Sequence, residues 1–431
     1  MKKFFTKNKK LICMLLFTAF ALLVWRLGVK IKVPLFDVKA NAADSNNLFG
    51  FLDIFTGGAL SQFSILALGI SPYITSSIVI QLLQMDIIPQ FKEWAEEGEA
   101  GKAKLSQWTR YVALFLAFVQ SLALIIGIKN SYANLYFEEL LGIELNAFSY
   151  VYMALVMTAG TAFVMWLADQ ITLHGVGNGG SMMIVAGIVA GLPSMFVSLY
   201  NEFIVGTKDN PATGWSIAKF FIIIALFLII IVAIIWMEGL QRKIPIQYAN
   251  RPAAAAIRGK QDSNVPLKLN SASVIPVIFA STLLSVPLTI VNFTSVDTTW
   301  WEMIFSYEKP IGFALYIILI FLFSFFYSFL QISPEKMAEN LKKQNAYIPG
   351  VKPGEDTAAY ISKVLFKVTL LGATYLAIVA SLPMIITLIF NIQSAGVSVG
   401  GTGIMIVVGV AIETAKQIKT EVQSQEYHGF M

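Results

Sequence analysis

Charge is what this sequence has least of. Only 13% of its 431 residues are Asp, Glu, Lys or Arg, against about 25% in an ordinary soluble domain, while 56% are hydrophobic. A soluble fold of this size needs a charged surface, and too little polar material is left to make one. The sequence reads as an integral membrane protein. Cysteine is missing except for Cys13, which excludes a disulfide framework and a thiolate metal site; in its apolar run Cys13 reads as a small buried hydrophobe. Histidine occurs only at His174 and His428, and neither H-E-x-x-H nor a pair of aspartates occurs within an apolar run. No enzyme chemistry, cofactor or metal is therefore expected. Ionisable residues near mid-membrane, which an ion-coupled carrier needs, are as scarce. Asp53 lies in a short amphipathic piece, Asp169 and Glu238 near the ends of runs, and Glu413 late in the last one. Such a carrier with inverted repeats stays as the alternative reading.

What is present in abundance is long apolar runs. A lipid-spanning helix needs about 20 such residues, because only helices and closed barrels satisfy their backbone in hydrocarbon. Runs at about 11–29, 63–85, 108–128, 147–168, 181–203, 216–237, 272–292, 310–331 and 368–390 qualify, and a shorter tenth begins at Gly400. None alternates with a period of two, which excludes a barrel. Lysine and arginine gather at Lys2–Lys10, Lys92–Arg110, Arg242–Lys268 and Lys336–Lys367. The net charge of +5 is thus explained by basic cytoplasmic loops rather than nucleic acid, and with ten spans both termini are cytoplasmic. Ala40 and Ala42 resemble a signal-cleavage site, but the apolar run ends at Trp25, too far upstream, so the first span is expected to be retained.

"HGVGNGG", 174–180, has the G-x-G-x-x-G spacing of a dinucleotide-binding turn. That function needs a preceding strand, whereas a span-length run stands on each side. The glycines are expected to make a tight turn between two helices. "EEGEAGKAK" fails as a phosphate loop, with Glu96 in place of the first glycine and Ala103 in place of Ser or Thr.

The stretch Phe49–Leu83 is unusual for an anchor. A short amphipathic piece is broken by Gly57 and Gly58 before a full span begins. Irregular backbone at membrane depth is tolerated only against protein or a water-filled cavity, so the segment marks either an interior vestibule or an interfacial ornament.

Here the residues meet a family. "GGALSQFSILALGISPYITSSIVIQLL", "KLSQWTRY", "GVGNGGSMMIVAGIVAGLP", "QRKIPIQYANR", "VPLKLNSASVIPVIFAS", "PEKMAENLKKQNAYIPGVKPG" and "GGTGIMIVVGV" resemble, in order, the SecY family of bacterial protein-translocon channel subunits. The resemblance implies an all-α integral membrane fold: ten transmembrane helices in two inverted five-helix halves around an hourglass pore with a plug segment. The halves are 1–203 and 204–431, with the plug at about 49–62 and long cytoplasmic loops at about 238–270 and 332–363. It implies a protein-conducting channel of the general secretory pathway, passing unfolded preproteins and releasing transmembrane segments sideways into lipid.

Motif by motif, the resemblance places Ile70, Ile74, Ile184, Ile188, Ile278 and Ile406 in an apolar pore ring; read without it, the two pairs one turn apart are packing positions. An apolar constriction expels water and blocks ions, yet bonds to no particular side chain. The plug would comprise Phe49, Phe51, Leu52, Ile54, Phe55, Gly57 and Gly58. Ser76, Ser77, Gln81 and Asn270 fall on the spans of the family's lateral gate, where polar groups hydrogen-bond across a helix seam at about 1 kcal/mol each; polar glue in a closed bundle is the other reading. Arg242, Lys243, Arg251 and Lys352 would dock the SecA ATPase or a translating ribosome, although topology alone accounts for basic loops. Small SecE-like and SecG-like membrane subunits, preprotein with its signal sequence, and membrane lipid complete the implied partners. Lys352 and Lys243 stand where the family commonly has arginine, which removes a bidentate fork and puts SecA coupling there in doubt. "KVPLFDV" lacks the usual proline-glycine, so an accessory paralogue stays open.

Overall fold

The computed structural model describes residues 9–34, 56–84, 88–131, 147–205, 214–248, 263–293, 299–306, 309–390 and 395–428. Phe49, Phe51, Leu52, Ile54, Phe55 and Arg251 lie outside these, so the plug and docking expectations are described only in part.

Apolar runs became helices wherever their backbone can close on itself. The spans are α1 (Lys9–Gly28), α2 (Ser71–Leu83), α4 (Glu99–Ser131), α5 (Ala147–His174), α6 (Gly179–Tyr200, continued by a π turn Asn201–Val205), α7 (Gly214–Gly239), α8 (Ile275–Phe293), α10 (Pro310–Gln331), α12 (Glu355–Phe390) and α13 (Ala395–His428). Short helices α3 (Pro89–Glu96), α9 (Thr299–Phe305) and α11 (Pro334–Lys343) lie between them. Among the described residues seven helices are long and apolar enough to cross a membrane: α1, α4, α5, α6, α7, α10 and α12. Two starts are earlier than hydropathy suggests. Helix α4 begins at Glu99 rather than near 108, and α12 at Glu355 rather than near 368. Their first turns carry Glu99 and Glu355 with Asp356, carboxylates that favour a helix N-terminus although they contribute no hydropathy.

Packing repeats along the chain. In the first part α2 packs on α4, α4 on α5, α5 on α6, and α1 on α5; in the second, α8 packs on α10, α10 on α12, α12 on α13, and α7 on α12. The two networks correspond if α1, α2, α4, α5 and α6 match α7, α8, α10, α12 and α13, except that α7 packs more on α13 than on α12, whereas α1 packs on α5. Between the parts, α8 lies against α2 and α4 on one side, and α13 against α6 and α1 on the other.

Three expectations need correction. The span expected at 63–85 is helical only from Ser71; residues 57–70 form mostly buried turns. Gly69 adopts φ +54°, a left-handed backbone that ends any upstream helix, and Pro72 opens the next one. Cys13 is exposed on α1, on a helix whose Leu16 and Phe20 are exposed too, so it faces the lipid side rather than a core. Finally, the helical fold carries a small sheet. Strands β1 (Gln241–Tyr248), β2 (Ser263–Lys268) and β3 (Ala346–Tyr347) are ordered β2-β1-β3, antiparallel, with Ile244 opposite Val265 and Gln247 opposite Tyr347. Alternation drives it: Ile244 and Ile246 are buried between exposed neighbours, and with Leu267, Leu341, Ile348 and Ile361 they form a separate apolar core. The two long basic loops are therefore one body.

Candidate functional site

Helices α2, with Ile70 at its N-cap, α6, α8 and α13 place the six isoleucines expected at the ring in one apolar interior. Ile70, Ile184, Ile188, Ile278 and Ile406 are all buried in one apolar cluster, and Ile74 packs partly buried against it. Small residues let the helices close in. A Cβ at Gly403 of α13 would stand 2.8 Å from Ile188 Cγ2, and one at Gly180 would stand 3.7 Å from Ile70 Cδ1. Glycine at 403 lets α13 approach α6 closely, while a Cβ at 180 would make only an ordinary contact.

The chain enters α2 and α8 by the same device. Gly69 at φ +54° and Ser273 at φ +53° are each followed by a buried aliphatic residue, Ile70 or Val274, then by a proline two residues on. Ile74 N–H donates to the Ile70 carbonyl at 3.2 Å and Ile278 N–H to the Val274 carbonyl at 3.3 Å. Val274 therefore stands in α8 where Ile70 stands in α2, in the same apolar cluster, with Gly409 of α13 close enough that a Cβ there would lie 2.9 Å from Val274 Cγ2. The sequence reading missed it. Its signal was the internal repeat of "ISPYI", 70–74, in "VIPVI", 274–278.

Irregular backbone ahead of α2 is buried, so its polar groups need partners. Val33 N–H donates to the Phe63 carbonyl and Ile65 N–H to the Ile31 carbonyl, both at 2.9 Å, and Ser64 N–H to the Ala59 carbonyl at 2.9 Å. The segment crosses α5 at Gly160, where a Cβ would strike the Ile65 carbonyl. Of the expected plug, Gly57 and Gly58 are described. Both have positive φ, +68° and +84°, and Arg26 Nη1 donates to the Gly57 carbonyl at 2.6 Å, anchoring the segment to α1.

The polar residues expected at the gate do not bond across it. Ser76 Oγ donates to the Thr109 carbonyl of α4 at 2.6 Å, and Gln81 Nε2 to Ser77 Oγ one turn back at 3.2 Å. Asn270 Nδ2 donates to the buried Glu238 carboxylate at the end of α7, 3.3 Å away. Among the described residues Gln81 Oε1 is buried without a hydrogen-bond partner. Helices α2 and α8 pack on one another, and Ile78 of α2 and Val277 and Leu284 of α8 belong to the common apolar cluster. Each polar group prefers a neighbour on its own side of the seam, where geometry is fixed.

The glycine turn at 175–178 is bonded within the first part and, through Gly177, to the second. Val176 N–H donates to Thr18 Oγ1 of α1 at 3.0 Å, Gly177 N–H to Gln417 Oε1 of α13 at 2.9 Å, and Asn178 Oδ1 caps α6. With helices on both flanks it cannot cradle a dinucleotide. Arg242 and Lys243 are exposed on β1 and Lys352 is exposed on the loop before α12; strand β3 brings the two loops that carry them together.

A sequence model described as SecY matches residues 64–415 of this chain. The chain belongs to the SecY family. Protein translocase subunit SecY of Bacillus subtilis is 45% identical over 424 residues, covering 97% of this chain and 96% of that protein. Its counterpart in Staphylococcus aureus is 43% identical over 431 residues, covering 99% and 98%. Among solved structures, a protein-conducting channel superposes with a TM-score of 0.61 at 17% identity, covering 96% of this chain and 93% of that one. The idle yeast Ssh1 complex bound to the 80S ribosome contains a chain that superposes at 0.62 and 15% identity, covering 95% and 90%. These likenesses establish that the ten-helix arrangement is the SecY fold.

Proposed function

We propose that this chain is the protein-conducting channel of a bacterial cytoplasmic membrane, passing unfolded preproteins across it and releasing transmembrane segments sideways between α2 and α8. One observation carries the reading: isoleucines from four helices distant in sequence meet in a single buried cluster. Residues 1–203 and 204–431 are its two inverted halves, a division supported by the repeated packing network and the repeated entry into α2 and α8. Ile70, Ile74, Ile184, Ile188, Ile278 and Ile406, with Val274, form the ring at the waist of an hourglass pore; Gly57 and Gly58 belong to the plug at about 49–62.

The gate between α2 and α8 is held by apolar packing, which a signal sequence can replace with its own apolar surface at roughly equal free energy. A SecE-like and a SecG-like subunit would complete the complex. SecA or a translating ribosome would supply energy and dock on the body carrying Arg242, Lys243, Arg251 and Lys352. Both termini are cytoplasmic in this reading. Relatives named as translocase subunits and the fold shared with a ribosome-bound complex support it.

Purified chain with its small membrane partners, reconstituted in proteoliposomes with SecA, is expected to import a preprotein in an ATP-dependent manner. Failure with every preprotein tried, with the complex intact, would overturn the reading.

A further inference from the structure

A cavity of about 550 Å³ opens where α12 leaves the sheet-bearing body. Its lining is mostly apolar, Leu269 and Tyr360 included, with three cationic side chains on it. Arg242, Lys363 and Lys367 supply the polar side, while Val364, Val368 and Leu371 supply the apolar side. The α12 residues recur at spacings of three and four, so they share one helix face. Among the described residues none of the three cations pairs with a carboxylate, and no acidic residue lines the cavity. Both lysines are exposed, just ahead of the apolar stretch expected from residue 368. Toward that stretch the apolar side continues along exposed Leu371 and Ile378, 61% and 55% accessible, which mark the lipid-facing surface of the helix.

We infer that this cavity binds the headgroup of an anionic phospholipid. The phosphate is held by Arg242, Lys363 and Lys367, and an acyl chain runs down Val364, Val368 and Leu371. A free phosphate ion satisfies only the cationic half and gains nothing from the apolar one, whereas a lipid matches both in the order in which they meet the bilayer. Basic pockets between spans on the cytoplasmic side suit such headgroups, each cation near the surface adding roughly a fivefold preference. The proposal is independent of what the channel conducts.

The test uses the intact complex, stripped of lipid in detergent and titrated with phosphatidylglycerol or phosphatidylcholine while bound lipid is counted by native mass spectrometry. Phosphatidylglycerol is expected to saturate one site that phosphatidylcholine does not fill. Lys363→Gln with Lys367→Gln should weaken that site about 30-fold, and Lys363→Arg with Lys367→Arg should restore it, which separates lost charge from lost folding. Three outcomes overturn the proposal: unchanged phosphatidylglycerol binding in the glutamine variant, equal binding of phosphatidylcholine, or displacement of the lipid by millimolar inorganic phosphate. Retention of a small partner subunit across the cavity, with no lipid bound in the wild-type complex, also overturns it.

Discussion

Isoleucine at the proposed ring would do two jobs that no polar residue could combine: packing to exclude water, and offering no directional bond to a passing chain. Replacing Ile188, which is fully buried, by glycine should open a void beside Gly403 and raise resting ion conductance in planar bilayers severalfold; Val274→Gly should do the same if Val274 shares the ring. A conductance equal to wild type in both variants would show that the cluster is mere packing. Cys13 gives a second measurement at this scale. Because it is exposed yet points toward lipid, a membrane-impermeant maleimide is expected to leave it unlabelled in intact membranes, while a lipid-soluble maleimide labels it. The ring isoleucines were legible only through family resemblance, since an isoleucine pair one turn apart looks the same whether it faces a pore, a neighbour or lipid. Arg26 was not singled out, although its bond to the Gly57 carbonyl ties the expected plug to α1; nothing in a sequence tells which carbonyl an arginine will find.

The element that hydropathy describes worst is α2. Its run reads as one span over 63–85, but the helix is only Ser71–Leu83, preceded by mostly buried turns. The reason is physical: a helix facing lipid must be apolar along its full length, whereas one that enters through buried turns needs only a short regular stretch and finds backbone partners in the protein. Gly69→Ala places a side chain at φ +54° and should cost about 1 kcal/mol or more, read as a lower thermal midpoint of the complex. The sheet makes a sharper test. Gln247 and Tyr347 are cross-strand partners, so Gln247→Cys with Tyr347→Cys, in a Cys13→Ser background, should form a disulfide that joins two fragments after proteolysis between them. The alternation of Ile244 and Ile246 with exposed residues was readable beforehand; the pairing of strands a hundred residues apart was not.

At the scale of the whole molecule, one packing network appears twice and is joined along two unlike seams. On one side α8 meets α2 and α4; on the other, α13 packs on α6 and α1, and directed bonds are added to that packing, Gly177 N–H to Gln417 and Lys10 to Glu421 at 2.7 Å. A seam of interchangeable apolar surface opens more readily than one of directed hydrogen bonds, so the α2–α8 side is the side expected to part. Docking is expected to be electrostatic. Arg242→Gln with Lys243→Gln should weaken SecA or ribosome binding several-fold at low salt and much less at high salt, where counterions screen the wild type as well.

By itself the sequence determined that the protein lives in lipid, which stretches are helical though not where several of them begin, and which loops are basic, because transfer free energy, backbone satisfaction and charge bias are properties of local composition. Only the tertiary structure decided that six distant isoleucines share one cluster, that Val274 joins them, that the gate's polar residues bond away from the seam, and that two loops fold as one sheet. Those outcomes depend on which surfaces meet, and a contact between segments two hundred residues apart leaves no mark on either segment's composition.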